Sequence, residues 1–206
     1  SAVATRFVMQ NPEQLDKQIT THSKAKKACV QISYYQGHGN TKKQTAKLPK
    51  SEQVNDDAAL LLLDKKLAQV ASSVKTEGDK RSVLLLARFN FQLPDNKLMA
   101  ALTAQYPQLD IKAMTVHGSK GQEADHVMVL AMEAGEHGFP CHKQRHPFAV
   151  ILQPDLSACP DAEERRLFYV ALTRARQQVY LLCNKDNPSS FVEELMAGDY
   201  AITIAK

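Results

Sequence analysis

No stretch of this 206-residue chain approaches the roughly 20 consecutive apolar residues that a bilayer-spanning helix needs, so a transmembrane segment is excluded. The first residues, Ser1-Ala2-Val3, carry neither an initiator Met nor a signal-peptide pattern, and the chain is expected to be an excised fragment. Cysteine is scarce: Cys29, Cys141, Cys159 and Cys183 are widely separated and form no Cys-x-x-Cys. That spacing argues against a disulfide framework and for reduced thiols in a cytoplasmic protein. Charge of one sign is only slightly in excess, with 26 Lys and Arg against 22 Asp and Glu. A net +4 tolerates a polyanionic partner without demanding one. Nowhere does Gly-x-x-x-x-Gly-Lys-[Ser/Thr] occur, and no Asp-Glu pair follows an apolar strand, since Asp56-Asp57 opens a helix instead. The chain therefore has no loop of its own to cradle nucleotide phosphates and no hydroxyl placed beside one to bind Mg²⁺.

What is present reads as one soluble globular domain over 1–206, with 44% apolar and 23% charged residues. Residues 3–11 read as a short helix stopping before Pro12, and 28–35 as a strand rich in β-formers. The stretch 36–55 carries Lys42, Lys43, Lys47 and Lys50 and nothing to bury, so it is expected to be a flexible surface loop. A helical pattern over 56–75 places Leu60, Leu63, Leu67, Val70 and Val74 on one face. Then Val83-Leu84-Leu85-Leu86-Ala87 runs without alternation, as in a strand covered on both sides. Pro94 suits the first turn of a helix that ends before Pro107. Strands are expected at 111–116, 127–132 and 179–183, and helices at 161–176 and 188–197. Strands alternating with helices imply an α/β fold, a mainly parallel sheet with helices on both faces.

Two blocks concentrate chemistry. The first runs from Met114 through Thr115, Val116, His117, Gly118, Ser119, Lys120, Gly121 and Gln122 to Glu123, leaving one strand and entering the next. Its glycines permit close approach, and its hydroxyls, imidazole and lysine suit phosphate oxygens. On these residues alone, a plain glycine turn with a solvated lysine is the better explanation of the block. The second spans 161–176. It reads as a helix with Asp161 as N-cap and Glu164 at N3, in a capping box. Leu167, Val170, Ala171 and Arg174 share the face that seeks the core, so Arg174 must find an anion, either an internal carboxylate or a bound phosphate. Arg165 and Arg176 fall on another face and are expected in solvent. His137, Cys141, His142, His146 and Cys159 match no standard zinc spacing, and no metal site is expected there.

The first block resembles motif V of UvrD/Rep-type superfamily 1 helicases, and the second resembles their motif VI. Arg88-Phe89-Asn90 is similar to an Arg-x-Asn segment of the same family. The close spacing of Asn90 and Thr115, with the segments 133–140 and 184–191, points to a compact bacterial branch that lacks a large inserted subdomain. The resemblance covers 83–183 and implies a RecA-like motor domain, the second of two that enclose ATP and Mg²⁺. By resemblance, Arg174 meets the γ-phosphate, and Glu123 the ribose, beside Gly121. Thr115, His117, Lys120, Arg88 and Asn90 fall along the path of single-stranded DNA or a DNA junction. The family's Tyr-Arg motif is expected just upstream of Ser1, and the N-terminal RecA-like domain of the same polypeptide is the expected partner. The fragment alone is accordingly expected to be inactive, within a bacterial, nucleoid-associated helicase. A stand-alone nucleic-acid-binding module and a helicase–nuclease subunit are the alternatives. A γ-phosphate arginine has no purpose in the first, and no nuclease-type carboxylate cluster supports the second.

Overall fold

The continuous apolar run at 83–87 lies inside a parallel sheet covered on both faces, as its lack of alternation requires. The computed structural model describes residues 2–10, 30–36, 57–74, 79–141 and 161–205. The elements in chain order are α1 (Ala2–Val8), β1 (Val30–Tyr35), α2 (Asp57–Ser72), β2 (Arg81–Ala87), α3 (Asn96–Gln105) and β3 (Leu109–Thr115). They continue with β4 (Ala124–Met132), α4 (Ala162–Thr173), β5 (Ala175–Asn184), α5 (Ser190–Ala197) and β6 (Ile202–Ala205). Among the described residues the sheet has six strands in the order β3-β2-β4-β5-β1-β6, and every neighbouring pair is parallel.

Successive side chains along the central strands point to opposite faces, which divides the core in two. Leu84, Leu86, Val127, Val129, Val179 and Leu181 pack with α1, α4 and α5 through Phe7, Phe168, Phe191 and Leu195. Val83, Leu85, Met128, Tyr180 and Leu182 pack instead with α2 and α3 through Leu63, Leu67, Leu98 and Leu102. Helices thus lie on both faces, and the chain has the expected α/β architecture. The starts of β2 and β4 are latched by Ser82 and Asp125: the Ser82 N–H and hydroxyl donate to the Asp125 carboxylate at 3.0 and 2.9 Å. In return, the Asp125 N–H donates to Ser82 Oγ at 2.8 Å.

Several sequence readings change. Asp161 lies at the start of α4 with left-handed backbone (φ 58) and makes no side-chain cap hydrogen bond, so the capping box does not form. Its intended partner Glu164 is turned to Arg88. Arg165 is not in solvent; its guanidinium donates to Glu194 at 2.9 Å and lies over the rings of Phe7 and Phe191. Pro94 precedes the helix start rather than occupying its first turn, because Asp95 is the N-cap and accepts from the Leu98 N–H at 2.8 Å. The α4 helix stops at Thr173, and β5 begins two residues later, so Arg174 is a junction residue rather than a core-face one. β6 was not anticipated. The lysine-rich stretch lies, apart from Gln36, outside the described residues.

Candidate functional site

The candidate residues divide between the two ends of the sheet. After β2, Arg88 and Phe89 lead into a 3₁₀ turn, Asn90–Gln92. Beside them β3 ends at Thr115, and the Val116 N–H donates to the carbonyl of Ala87 at 2.9 Å. The chain then makes a second 3₁₀ turn, His117–Ser119. Thr115 Oγ1 accepts from the Gly118 N–H at 3.2 Å, and the buried Ser119 hydroxyl donates to the Val116 carbonyl at 2.7 Å. These bonds fix the turn from within and leave His117 and Lys120 exposed. A β-carbon on Gly118 would already lie 3.4 Å from Thr115 Oγ1. At Gly121 the backbone turns left-handed (φ 83), a conformation that disfavours any side chain. The chain then reaches the opposite end of the sheet, where β4 begins.

There the backbone that follows Glu123 meets that of Arg174. The Ala124 N–H donates to the Arg174 carbonyl at 3.0 Å, and Ala124 pairs with Ala175 in the ladder. The Arg174 guanidinium is half-buried. Its Nε donates to the Val170 carbonyl at 3.1 Å, and its two terminal nitrogens reach the Gln122 carbonyl and Thr173 Oγ1, each at 3.3 Å. Among the described residues no carboxylate lies within ion-pair distance of it, so none of them forms the structural salt bridge that periodicity allowed. Glu123 instead pairs with Arg176 at 3.2 Å, with both side chains more than half exposed. Such a pair is weakly held and readily exchanged.

Arg88, at the other end of the sheet, is turned inward. Its guanidinium donates to both oxygens of Glu164 at 2.8–3.1 Å, and the two side chains are only 17% and 13% exposed. Burial alone would lower the Arg88 pKa, but the hydrogen-bonded carboxylate outweighs it and raises it. Glu164 also accepts the Cys141 N–H at 3.1 Å, joining the segment after β4 to the start of α4. Arg88 is thus committed to a carboxylate, while Asn90 beside it is exposed. The structure therefore brings Glu123, Gln122, Arg174 and Arg176 together at one end of the sheet, and Arg88, Asn90 and Thr115 at the other. β2 separates the two groups by about 20 Å, at roughly 3.3 Å per residue. Sequence reasoning missed the Arg88–Glu164 pair because it spent Glu164 on a helix cap. The surplus of charge in Glu-Glu-Arg-Arg at the start of a half-buried helix was the available signal. Of the histidines and cysteines weighed as a metal site, His142, His146 and Cys159 lie outside the described residues.

Residues 6–186 match the UvrD-like helicase C-terminal domain. The chain belongs to that family. Among curated relatives of this UvrD-like domain, DNA helicase IV of Escherichia coli is 37% identical over 193 residues, covering 94% of this chain and 24% of that protein. A putative ATP-dependent DNA helicase of Bacillus subtilis, YjcD, is 33% identical over 116 residues, 53% of this chain and 14% of that one. The chain thus spans about a quarter or less of the length of these relatives. A crystal structure of the C-terminal domain of a possible DNA helicase from Lactobacillus plantarum superposes with a TM-score of 0.52 at 14% identity. It covers 100% of this chain and 97% of the other, a likeness of fold. Among the described residues, no helix is long and apolar enough to cross a membrane.

Proposed function

We propose that this UvrD-like domain is the C-terminal motor half of an ATP-dependent DNA helicase or translocase. It would close over ATP and Mg²⁺ held mainly by an N-terminal RecA-like domain of the same polypeptide, with single-stranded DNA or a junction as the other ligand. The observation that carries this is Arg174: a half-buried guanidinium oriented by carbonyl oxygens and lacking a carboxylate partner among the described residues. A permanently charged fork held this way suits an incoming phosphate. Glu123, three residues after Lys120 in sequence but beside the backbone of Arg174 at the other end of the sheet, could exchange its loose contact with Arg176 for a sugar hydroxyl. The donor set thus fits the second half of a shared nucleotide site. It does not fit the first half, since nothing in the sequence can cradle the phosphates or the cation.

When bound, ATP would supply the phosphoryl group whose charge Arg174 neutralises, and cleft closure and opening would follow from making and losing that contact. In the full-length protein, Arg174→Ala should lower kcat by on the order of 10³-fold while changing KM little, and Arg174→Lys should rescue little. Steady-state ATP hydrolysis on single-stranded DNA measures this. A variant that loses fold stability while its surviving fraction keeps a wild-type kcat would make Arg174 a structural residue and remove the main support for the motor reading.

A further inference from the structure

At the carboxyl end of the sheet, the sequence Arg88-Phe89-Asn90-Phe91 does something its motif resemblance does not describe. The rings of Phe89 and Phe91 stack at 5.4 Å with an interplanar angle of 11°. His137, from the segment after β4, stands nearly perpendicular to both, at 5.7 and 5.4 Å. Its backbone carbonyl accepts a hydrogen bond from the Gln92 side chain at 2.8 Å, which ties the two segments together. The Arg88 guanidinium lies 4.9 Å from the centre of the Phe89 ring, while its own charge is held by Glu164. Phe89 is therefore fixed from below. Phe91 rests on it and is still 49% exposed.

The place matters as much as the rings. β2 and β4 are neighbours, yet the chain leaves β2 through α3 on one face and leads from β4 into α4 on the other. Parallel sheets bind ligands in the crevice that opens at such a divergence, beyond the carboxyl ends of the strands. Phe89 and Phe91 follow one of these strands and His137 follows the other. β4 also carries an irregularity between Val129 and Met132, with Ala131 in left-handed backbone (φ 51), a kind of distortion that clusters beside binding sites.

The remaining large exposed apolar side chains among the described residues, Met9, Met196 and Ile204, belong to the end of α1, to α5 and to β6. A single ring is far smaller than the patch a stable protein interface needs. It is the size of one base, and its neighbours Asn90 and His137 are exposed and can hydrogen-bond to a base edge. We propose that Phe91, backed by Phe89 and edged by His137, is a stacking platform for one unpaired nucleobase of single-stranded DNA. This rests on the DNA-translocating reading above and adds to it a base contact, distinct from contacts to the phosphate backbone.

The test uses the full-length protein, fluorescein-labelled (dT)₁₆ and the same oligonucleotide made with abasic sites, followed by anisotropy. Loss of one base–aromatic stack corresponds to about a 5- to 150-fold loss of affinity, so Phe91→Ala should fall in that range and Phe91→Trp should stay near wild type. The slope of log K against log salt should be the same in wild type and Phe91→Ala, because no phosphate contact is lost. Abasic substitution should weaken wild type and have a smaller effect on Phe91→Ala. If wild type binds (dT)₁₆ and Phe91→Ala binds it equally well, the platform is refuted while the DNA reading stands. Full additivity of Phe91→Ala with abasic substitution refutes it too. If wild type itself does not bind (dT)₁₆, the DNA reading fails and takes the platform with it.

Discussion

Removing the carboxylate of Glu164 should cost the domain more than any surface ion pair could. Glu164 and Arg88 are 13% and 17% exposed and share three contacts of 2.8–3.1 Å, a bidentate geometry that water screens little. In Glu164→Ala the Arg88 guanidinium stays half-enclosed against Phe89 without its counter-charge, and the Cys141 N–H loses its acceptor. Breaking a buried pair from one side typically costs about 3–5 kcal/mol. Residual exposure places this case near the lower end, so about 3 kcal/mol is expected. For a domain of this size that lowers Tm by roughly 6–12 °C. Glu164→Gln keeps one acceptor oxygen in place of two, removes the charge and turns an amide NH2 toward a donor, so it should recover only part of that loss. The double variant Arg88→Met with Glu164→Leu should recover most of the loss, because an apolar pair of similar volume leaves no orphaned charge. Urea unfolding followed by circular dichroism supplies the numbers, and a double-mutant cycle gives the coupling. A cost for Glu164→Ala under 1 kcal/mol, or a coupling near zero, would mean that solvent already screens the pair and that the reasoning from burial is wrong.

Two further outcomes follow from buried groups. His126 is 7% exposed with its Nδ1 unpartnered among the described residues, and burial, opposed by Asp125, holds its pKa below the ordinary 6.5. Between those values the unfolded chain binds the extra proton, so stability should fall as pH drops below about 6.5, and His126→Leu should flatten that slope in urea titrations at successive pH values. Burial would raise the Asp125 pKa, but the bonds from Ser82 outweigh it and bring it below 3.8; its share of stability is present above that value and lost at lower pH, and Ser82→Ala, which removes the hydroxyl but keeps the backbone N–H donor, should reduce it without abolishing it. Gly138→Ala would set a β-carbon 2.2 Å from the carbonyl oxygen of Glu133, a backbone atom that cannot swing away, and should destabilise by about 1–3 kcal/mol on thermal unfolding.

Most of the sheet was legible because hydrophobic periodicity is a local signal. The uninterrupted run 83–87 announced a strand covered on both faces, and Leu60, Leu63, Leu67 and Val70 announced the face that α2 buries. β6 escaped because Ile202-Thr203-Ile204-Ala205 is short and lies at the sheet edge, where pairing with β1 rather than burial makes it a strand. The candidate site was legible as two blocks of residues but not as an arrangement. Nothing in the spacing of Thr115 and Glu123 reveals that the segment between them travels from one end of the sheet to the other. Arg165 shows the same limit from the opposite side. Helical spacing puts it on a polar face, yet α1 and α5 close over that face with Phe7, Phe191 and Glu194, and only tertiary contact turns a solvent position into a paired one.

That arrangement gives α4 a particular mechanical character. Near its first turn, Glu164 is clamped to Arg88 after β2 and to Cys141 after β4. Just past its last turn stands Arg174, about 15 Å away at 1.5 Å per residue. Phe168, Ala171 and Leu172 are buried against the sheet between these points, so the helix cannot slide or tilt without disturbing the larger of the two cores. A rigid element anchored at both ends transmits a displacement instead of absorbing it. On the motor reading, one anchor borders the proposed DNA platform and the other the proposed phosphate contact. A coupling between those sites would then need no loop rearrangement within this domain, only a rigid-body response of α4 and the sheet it covers.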